Sequence, residues 1–257
     1  MRKNLSQSSL LFGPHWDGVR MACTSRLDDR TLSAYGSFNL ATHVGDDPSR
    51  VAQNRARLRA LLSDEPCWLE QVHGTEVYDA DTASASPGVP VADAAVTTTP
   101  GRVLAVLTAD CIPLIVAARG APGLAVVHAG WRGLAQGVVE AAVGALRAKV
   151  GDQQALQAWI GPCIGPFAYE VGADVRDAFD ASVRSTAFTP RTGADGKWWC
   201  NLPMLARVRL YAAGVHFVQA SGLCTFTDSR FYSYRRDGAT GRFATLAWLT
   251  ERSSRLR

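Results

Sequence analysis

Short apolar runs alternate with polar, turn-forming segments along most of the chain. The runs VLAVLT (103–108), IPLIVAA (112–118), GLAVVH (123–128), LQAWI (156–160), VHFVQA (215–220), RFYSY (230–234) and FATLAWL (243–249) have the length and composition of strands. TTTPG, RGAPG and RTGADGK lie between such runs and signal turns. Several neighbouring runs are joined by connections too short for a crossover helix, which predicts antiparallel pairing within a mixed α+β domain.

Other stretches carry the helical period. In GDDPSRVAQNRARLRALL, Asp47 can cap, Pro48 suits the first helical position, and Val51, Leu58 and Leu62 share one face. LAQGVVEAAVGALRAKV (134–150) predicts a second helix that turns Leu134, Val138, Val139, Ala142, Leu146 and Val150 to the core. NLPMLARVRLYAAG predicts a third, from Asn201 as N-cap to Gly214 as stop, and GADVRDAFDASV (172–183) a shorter one. Arg55 falls on the apolar stripe of the first helix. A guanidinium there requires an anion, either a carboxylate or a phosphate.

Neither a repeat nor a compositional break divides the sequence, so residues 1–257 are expected to form a single domain. With 47% apolar and 19% charged residues it has the means to fold without staples, and only RSSRLR (252–257) reads as loose. The formal charge of +4 rests on 24 arginines and three lysines scattered along the chain, a pattern that argues against a nucleic-acid partner. MRKNLSQSSLLFG lacks the apolar centre of a signal peptide, and the 16-residue stretch 103–118 contains Asp110, which disfavours a membrane span. A cytoplasmic protein is the expectation; the oligomeric state is not fixed.

Cys23, Cys67, Cys111, Cys163, Cys200 and Cys224 form no CxxC pair and read as free thiols. One of them stands out by position. Cys111 in VLTADCIPLIV, His73 in WLEQVHGTEV and His128 in VVHAGWRG each place a ligand-capable group at the edge of an apolar segment. Two imidazoles and a thiolate would give zinc three protein ligands and leave a fourth position open, the catalytic pattern. The separations, 38 and 17 residues, are no short-range zinc signature, and each residue also fits a structural role: His128 as a core imidazole, Cys111 as a small apolar filler. Gly74, Gly130 and Gly133 allow close backbone approach beside two of the three. Asp110 can orient an imidazole or cap a turn.

Six blocks, SFNLATHVGDDPSRVAQNR, WLEQVHGTEV, LTADCIPL, VVHAGWRGLAQGVVE, WIGPCIGPFAYEVG and CTFTDSRFYSYRRDGATGR, follow one another in the order of the YfiH-like family, also called the laccase-domain or multicopper polyphenol oxidase family. The resemblance covers roughly residues 35–250. It implies a four-layer α/β/β/α sandwich of mixed sheets, related to cysteine-dependent toxin deamidases. It also implies a purine nucleoside phosphorylase that cleaves adenosine, inosine and methylthioadenosine with phosphate and deaminates adenosine, with zinc held by His73, Cys111 and His128. Some members are linked to peptidoglycan fidelity. The chain departs from the pattern at Ala41, where glycine is usual, and at Asn201, often acidic.

For deamination, zinc lowers the pKa of water enough for attack on an aromatic carbon bearing an amino group. Phosphorolysis needs an anion held against the anomeric carbon. Arg55, Arg132 and Arg235 are the candidates for phosphate or ribose, and Asn39 and His43 for base or sugar; each also fits a scaffolding role. Trp131 reads as an apolar plug or a purine platform. Cys23, Cys67, Cys163, Cys200, Cys224 and His216 read as structural, and His15 carries no signal. Five histidines with no HxH pair are too few for a multicopper oxidase, so copper would be adventitious. Two rival readings stand beside zinc chemistry: a metal-free hydrolase with Cys111 as nucleophile and His128 as base, and a binding module of cell-wall maintenance without turnover.

Overall fold

The computed structural model describes residues 10–26, 33–82 and 88–251. Residues 1–9 and 252–257, where the expectations of no leader and of a loose end mostly fall, lie outside the described residues. The chain begins with β1 (Leu10–Phe12), β2 (Val19–Thr24), α1 (Pro48–Arg59), β3 (Val77–Asp79), β4 (Ala94–Thr97) and β5 (Leu104–Thr108). β6 (Ile112–Ala118), β7 (Leu124–Ala129), α2 (Trp131–Gln136), α3 (Val138–Val150) and β8 (Leu156–Ile160) form its middle. β9 (Glu170–Val171), α4 (Ala173–Arg176), α5 (Ala181–Ala187), β10 (Phe188–Pro190) and β11 (Trp198–Cys200) follow. α6 (Leu202–Ala212), β12 (Phe217–Ala220), α7 (Tyr234–Asp237) and β13 (Phe243–Leu249) complete it. None of these helices is long and apolar enough to cross a membrane.

The described residues build an α+β fold with three sheets. The largest runs β12-β8-β6-β7-β4-β3, antiparallel at its centre and parallel in its outer pairs, β12 with β8 and β3 with β4. A four-stranded antiparallel sheet has the order β1-β2-β13-β5, and β10-β11-β9 form a small third sheet. Every residue of β6 and β7 is buried, which explains why these strands read as continuous apolar runs. Ile112, Leu114 and Val116 face the core shared with Leu134, Val139 and Leu146 of α2 and α3 and Leu205 and Leu210 of α6. Their neighbours Ile115 and Ala117 point the other way, onto Met21, Cys23, Val106 and Ala247 of the four-stranded sheet. The far side of that sheet, through Leu107 and Leu246, meets Leu58 and Leu62 of α1 and its neighbourhood.

The first helix starts as expected: Asp47 accepts the Ser49 N–H at 2.8 Å, and Pro48 leads. Asn201 caps α6 by accepting the Met204 N–H at 3.0 Å. Other expectations require correction. Residues 134–150 are not one helix, because Gly137 takes φ 98° and ends α2 before α3 begins. The stretch 172–183 likewise splits into α4 and the start of α5 around the buried Phe179. RFYSY is no strand: Phe231 and Tyr232 plug the core from a loop, and the Ser233 hydroxyl accepts the Arg236 N–H to open α7. Strands β2 and β4, made largely of small residues, have no counterpart in the pattern.

Candidate metal centre

Strand pairing assembles the site. β7 is flanked by β6 and β4, and its penultimate residue, His128, lies opposite Pro113 of β6. Cys111 immediately precedes β6 and so arrives beside His128. On the other flank Ala94 pairs with Val127, placing Asp93 next to His128, whose N–H donates to the Asp93 carbonyl at 2.7 Å. His73 comes from the loop before β3. Gln71 ties that loop to the end of β5 through both its amide groups, donating to the Leu107 carbonyl and accepting the Leu107 N–H, each at 2.8 Å.

One ligand atom from each of His73, Cys111 and His128 lies within 4.8 Å of the others, the one such three-residue group among the described residues. Cys111 Sγ is 3.8 Å from His73 Nε2, and the two imidazoles meet edge to face with centroids 4.7 Å apart. His73, at φ 61°, and Asp110, at φ 97°, are the two non-glycine residues with positive φ among those described, so uncommon backbone conformations sit within and beside this cluster.

Asp93, fully buried, organises the cluster and escaped the sequence reading. Its Oδ1 pairs with His128 Nδ1 at 2.7 Å and accepts the His73 N–H at 3.0 Å, while Oδ2 accepts those of Gly74 at 2.6 Å and Val72 at 3.2 Å. Burial alone would raise its pKa, but the His128 contact and the backbone N–H groups outweigh that and hold it below the usual carboxylate value. With Nδ1 engaged, His128 has Nε2 left for the cluster. Asp110, read as able either to orient an imidazole or to cap a turn, accepts the Thr225 hydroxyl at 2.6 Å and the Arg235 N–H at 2.7 Å, fastening the segment that carries α7.

Burial pushes the Cys111 thiol up, yet His128 and then His73 overcome it and bring its pKa down to about 6. Burial opposes charge on His128 as well, and the Cys111 thiolate and Asp93 raise its pKa to about 9. Without metal, each charge thus favours the other and draws the pair towards thiolate and imidazolium. Burial holds Cys23 up at about 12, Cys67 at about 11 and Cys200 at about 12, and raises Cys163 further, so these are inert thiols. Cys224 is lowered, despite burial, by backbone N–H groups including those of Thr227 and Gly165.

The donor set fits zinc. Tetrahedral Zn–S and Zn–N bonds would set sulfur and nitrogen roughly 3.6 Å apart, close to the 3.8 Å between Cys111 Sγ and His73 Nε2. Gly130 leaves the room: a Cβ there would lie 2.8 Å from His73 Cδ2 and 3.1 Å from Cys111 Sγ. Gly133 serves the same end, since a Cβ would approach the Gly74 carbonyl to 3.1 Å.

The cluster opens into a cavity of about 400 Å³ lined by His43, Tyr169, Tyr234, Arg132, Arg235 and Arg242 among others. None of these arginines has a carboxylate within 4.0 Å among the described residues. Arg132 lies over Trp131 and Arg235 over Tyr169, with Arg235 also donating to the Glu170 carbonyl at 2.8 Å. Burial, then Arg242 and Arg55, hold the pKa of His43 below its ordinary value. Two predicted contacts are not in the lining. Asn39 is fully buried and bonded within the protein. Arg55 donates to the Leu40 carbonyl at 2.9 Å and lies 4.2 Å from the Trp68 ring centroid, so a carbonyl and an indole replace the anion expected for it. Arg242, Tyr169 and Tyr234 line the cavity without having been singled out in the sequence; Arg242 was visible there only as the last residue of a motif block.

The chain belongs to the family described as multi-copper polyphenol oxidoreductase laccase, which it matches over residues 20–250. Among its relatives is a purine nucleoside phosphorylase of Pseudomonas aeruginosa, 45% identical over 245 residues that span 93% of this chain and 98% of that protein. Purine nucleoside phosphorylase YfiH of Escherichia coli is 41% identical over 253 residues, 94% of this chain and 99% of that one. The crystal structure of a Neisseria meningitidis protein superposes with a TM-score of 0.85 at 38% identity, over 94% of this chain and 99% of that one. YlmD from Geobacillus stearothermophilus does so with 0.78 at 30%, over 91% and 93%.

Asp93→Asn keeps the size of the side chain but sets an amide where His128 Nδ1 and three N–H groups need a carboxylate. We expect a folded protein whose zinc affinity falls about 10–100-fold, measured by competition with a chromophoric chelator; unchanged affinity would remove Asp93 from the account.

The metal-free pair also predicts a pH profile. The Cys111 contribution to stability is complete above the ordinary thiol pKa and is lost as pH falls through about 6. That of His128 is complete below the ordinary imidazole pKa and is lost as pH rises through about 9. Thermal melting of the metal-free protein should show a stability maximum between these limits that Cys111→Ser lacks.

Proposed function

We propose that this chain is a zinc-dependent purine nucleoside phosphorylase, acting on adenosine, inosine and methylthioadenosine, that also deaminates adenosine. The observation that carries the reading is the convergence of His73, Cys111 and His128 at one end of a cavity whose arginines have no carboxylate partners among the described residues. The names of the relatives from Pseudomonas aeruginosa and Escherichia coli support it. The layered α/β/β/α arrangement and kinship with toxin deamidases belong to the same proposal; apolar cores on both faces of the two larger sheets support the layering.

In phosphorolysis an oxygen of phosphate bonds to the anomeric carbon while the C–N bond breaks, its electron pair leaving on the purine, which gains a proton. The enzyme must bring two solutes together and stabilise negative charge on both. Zinc, held by His73, Cys111 and His128, supplies Lewis acidity; copper at the same ligands is taken as adventitious. The arginines offer donors to phosphate and ribose. Tyr169, already stacked with Arg235, offers a face to the base, and His43, whose pKa burial lowers, offers a ring nitrogen to base or sugar.

A second reading has its own observation. Asp93, His128 and Cys111 line up as orienter, base and nucleophile, and the depressed thiol suits a metal-free hydrolase. Against it, His73 approaches the same sulfur, and Gly130 keeps the space between them open.

Base release from inosine, measured on metal-defined protein with and without phosphate, separates the two. The phosphorylase reading predicts phosphate-dependent release with ribose 1-phosphate as co-product, lost on chelation, regained with Zn2+ and absent in Cys111→Ser. Turnover that ignores phosphate and survives chelation would assign the site to thiol chemistry.

A further inference from the structure

The three cavity arginines are not equivalent. Arg132 and Arg235 lie at exposed positions, where water solvates a guanidinium and no anion is required. Arg242 is half-buried, and burial draws its pKa below the ordinary arginine value. A desolvated cation needs a counter-charge. The negative groups that act most on it are otherwise engaged: Cys111 belongs to the His–Cys–His cluster, and Asp110 is bonded to Thr225 and to the Arg235 backbone.

The protein also fixes Arg242 firmly. Asn39 Oδ1 accepts the Arg242 N–H at 2.9 Å and the Ala41 N–H at 3.0 Å, while Nδ2 donates to the Ala41 carbonyl and to Asp46 Oδ2, each at 3.1 Å. One amide thus joins Arg242, just before β13, to the loop carrying His43, and its four bonds leave nothing for a substrate. Gly241 permits the approach: a Cβ there would lie 2.9 Å from Asn39 Cβ and 2.8 Å from the Tyr232 ring. The guanidinium is anchored at Nη1, which donates to the carbonyls of Thr240 at 2.8 Å and Gly241 at 3.1 Å. In the adjoining cavity wall Thr108 is 1% exposed, and its hydroxyl has no hydrogen-bond partner among the described residues.

We propose that Arg242 is the residue that binds the phosphate consumed in the reaction, with Asn39 as its positioning residue, and that Arg132 and Arg235 serve the nucleoside at the cavity mouth. This rests on the phosphorylase reading for the identity of the anion, whereas the need of Arg242 for an anion follows from its burial.

Calorimetric titration of inorganic phosphate into the metal-free and zinc-loaded protein tests the site without turnover. Arg242→Gln should weaken phosphate binding about tenfold or more, Arg242→Lys should recover part of it, and Arg132→Gln and Arg235→Gln should leave it within about threefold. In steady state, Arg242→Gln and Asn39→Ser should raise KM for phosphate while KM for inosine stays unchanged, a split that general destabilisation would not give. The proposal is overturned if the wild-type protein binds no phosphate, if Arg242→Gln binds it as well as wild type, or if the mouth arginines matter equally. Phosphate binding that depends on Arg242 in a protein that cleaves no nucleoside would uphold the anion site and remove the phosphorylase reading instead.

Discussion

The carboxylate of Asp93 is the constraint on which the rest of the site depends. A buried carboxylate is tolerated only when its lone pairs are satisfied, and here three successive backbone N–H groups and one imidazole do so. The same four bonds turn the 72–74 loop back towards the sheet, carry His73 into a left-handed backbone conformation and fix which nitrogen of His128 faces Cys111. A single charged group thereby aligns two cluster histidines that are 55 residues apart in sequence. Its own place is set by the pairing of β4 with β7, so the sheet and the site are one construction.

Charge is distributed around the cluster with a purpose that the metal-free electrostatics make visible. The thiolate of Cys111 is stabilised by imidazoles that a bound cation would replace as its counter-charge. Beyond it the cavity grades from the His–Cys–His cluster to guanidinium groups without carboxylate partners among the described residues. At the half-buried Arg242 such an arrangement costs stability unless an anion completes it, whereas the exposed Arg132 and Arg235 are solvated by water.

Much of this was legible in the sequence. β6, β8 and β13 could be read almost to the residue because strands covered on both faces leave unbroken apolar runs. The three cluster residues were marked by lying at the ends of such runs and by six motif blocks in order. Asp93 was not, although a carboxylate among the small apolar residues of VADAAV is the mark of a buried charge and could have been followed. Asp110 drew attention because it adjoins Cys111, yet its backbone bends there at φ 97°, and its carboxylate went to Thr225 and the Arg235 N–H. Asn39 belonged to a conspicuous block for a reason that only the fold reveals: it holds Arg242 across 203 residues of sequence. The break at Gly137 and the loop plug at Phe231 and Tyr232 show where periodicity alone misleads, since a glycine in a helical pattern and aromatic residues in a short run each admit two local structures.

X-ray absorption at the zinc edge of protein loaded with one equivalent of metal tests the central claim most directly. The account predicts one sulfur near 2.3 Å, two imidazole nitrogens near 2.0–2.1 Å and one further light-atom ligand, with the sulfur signal lost in Cys111→Ser. A spectrum without sulfur, or one in which that substitution changes nothing, would contradict it.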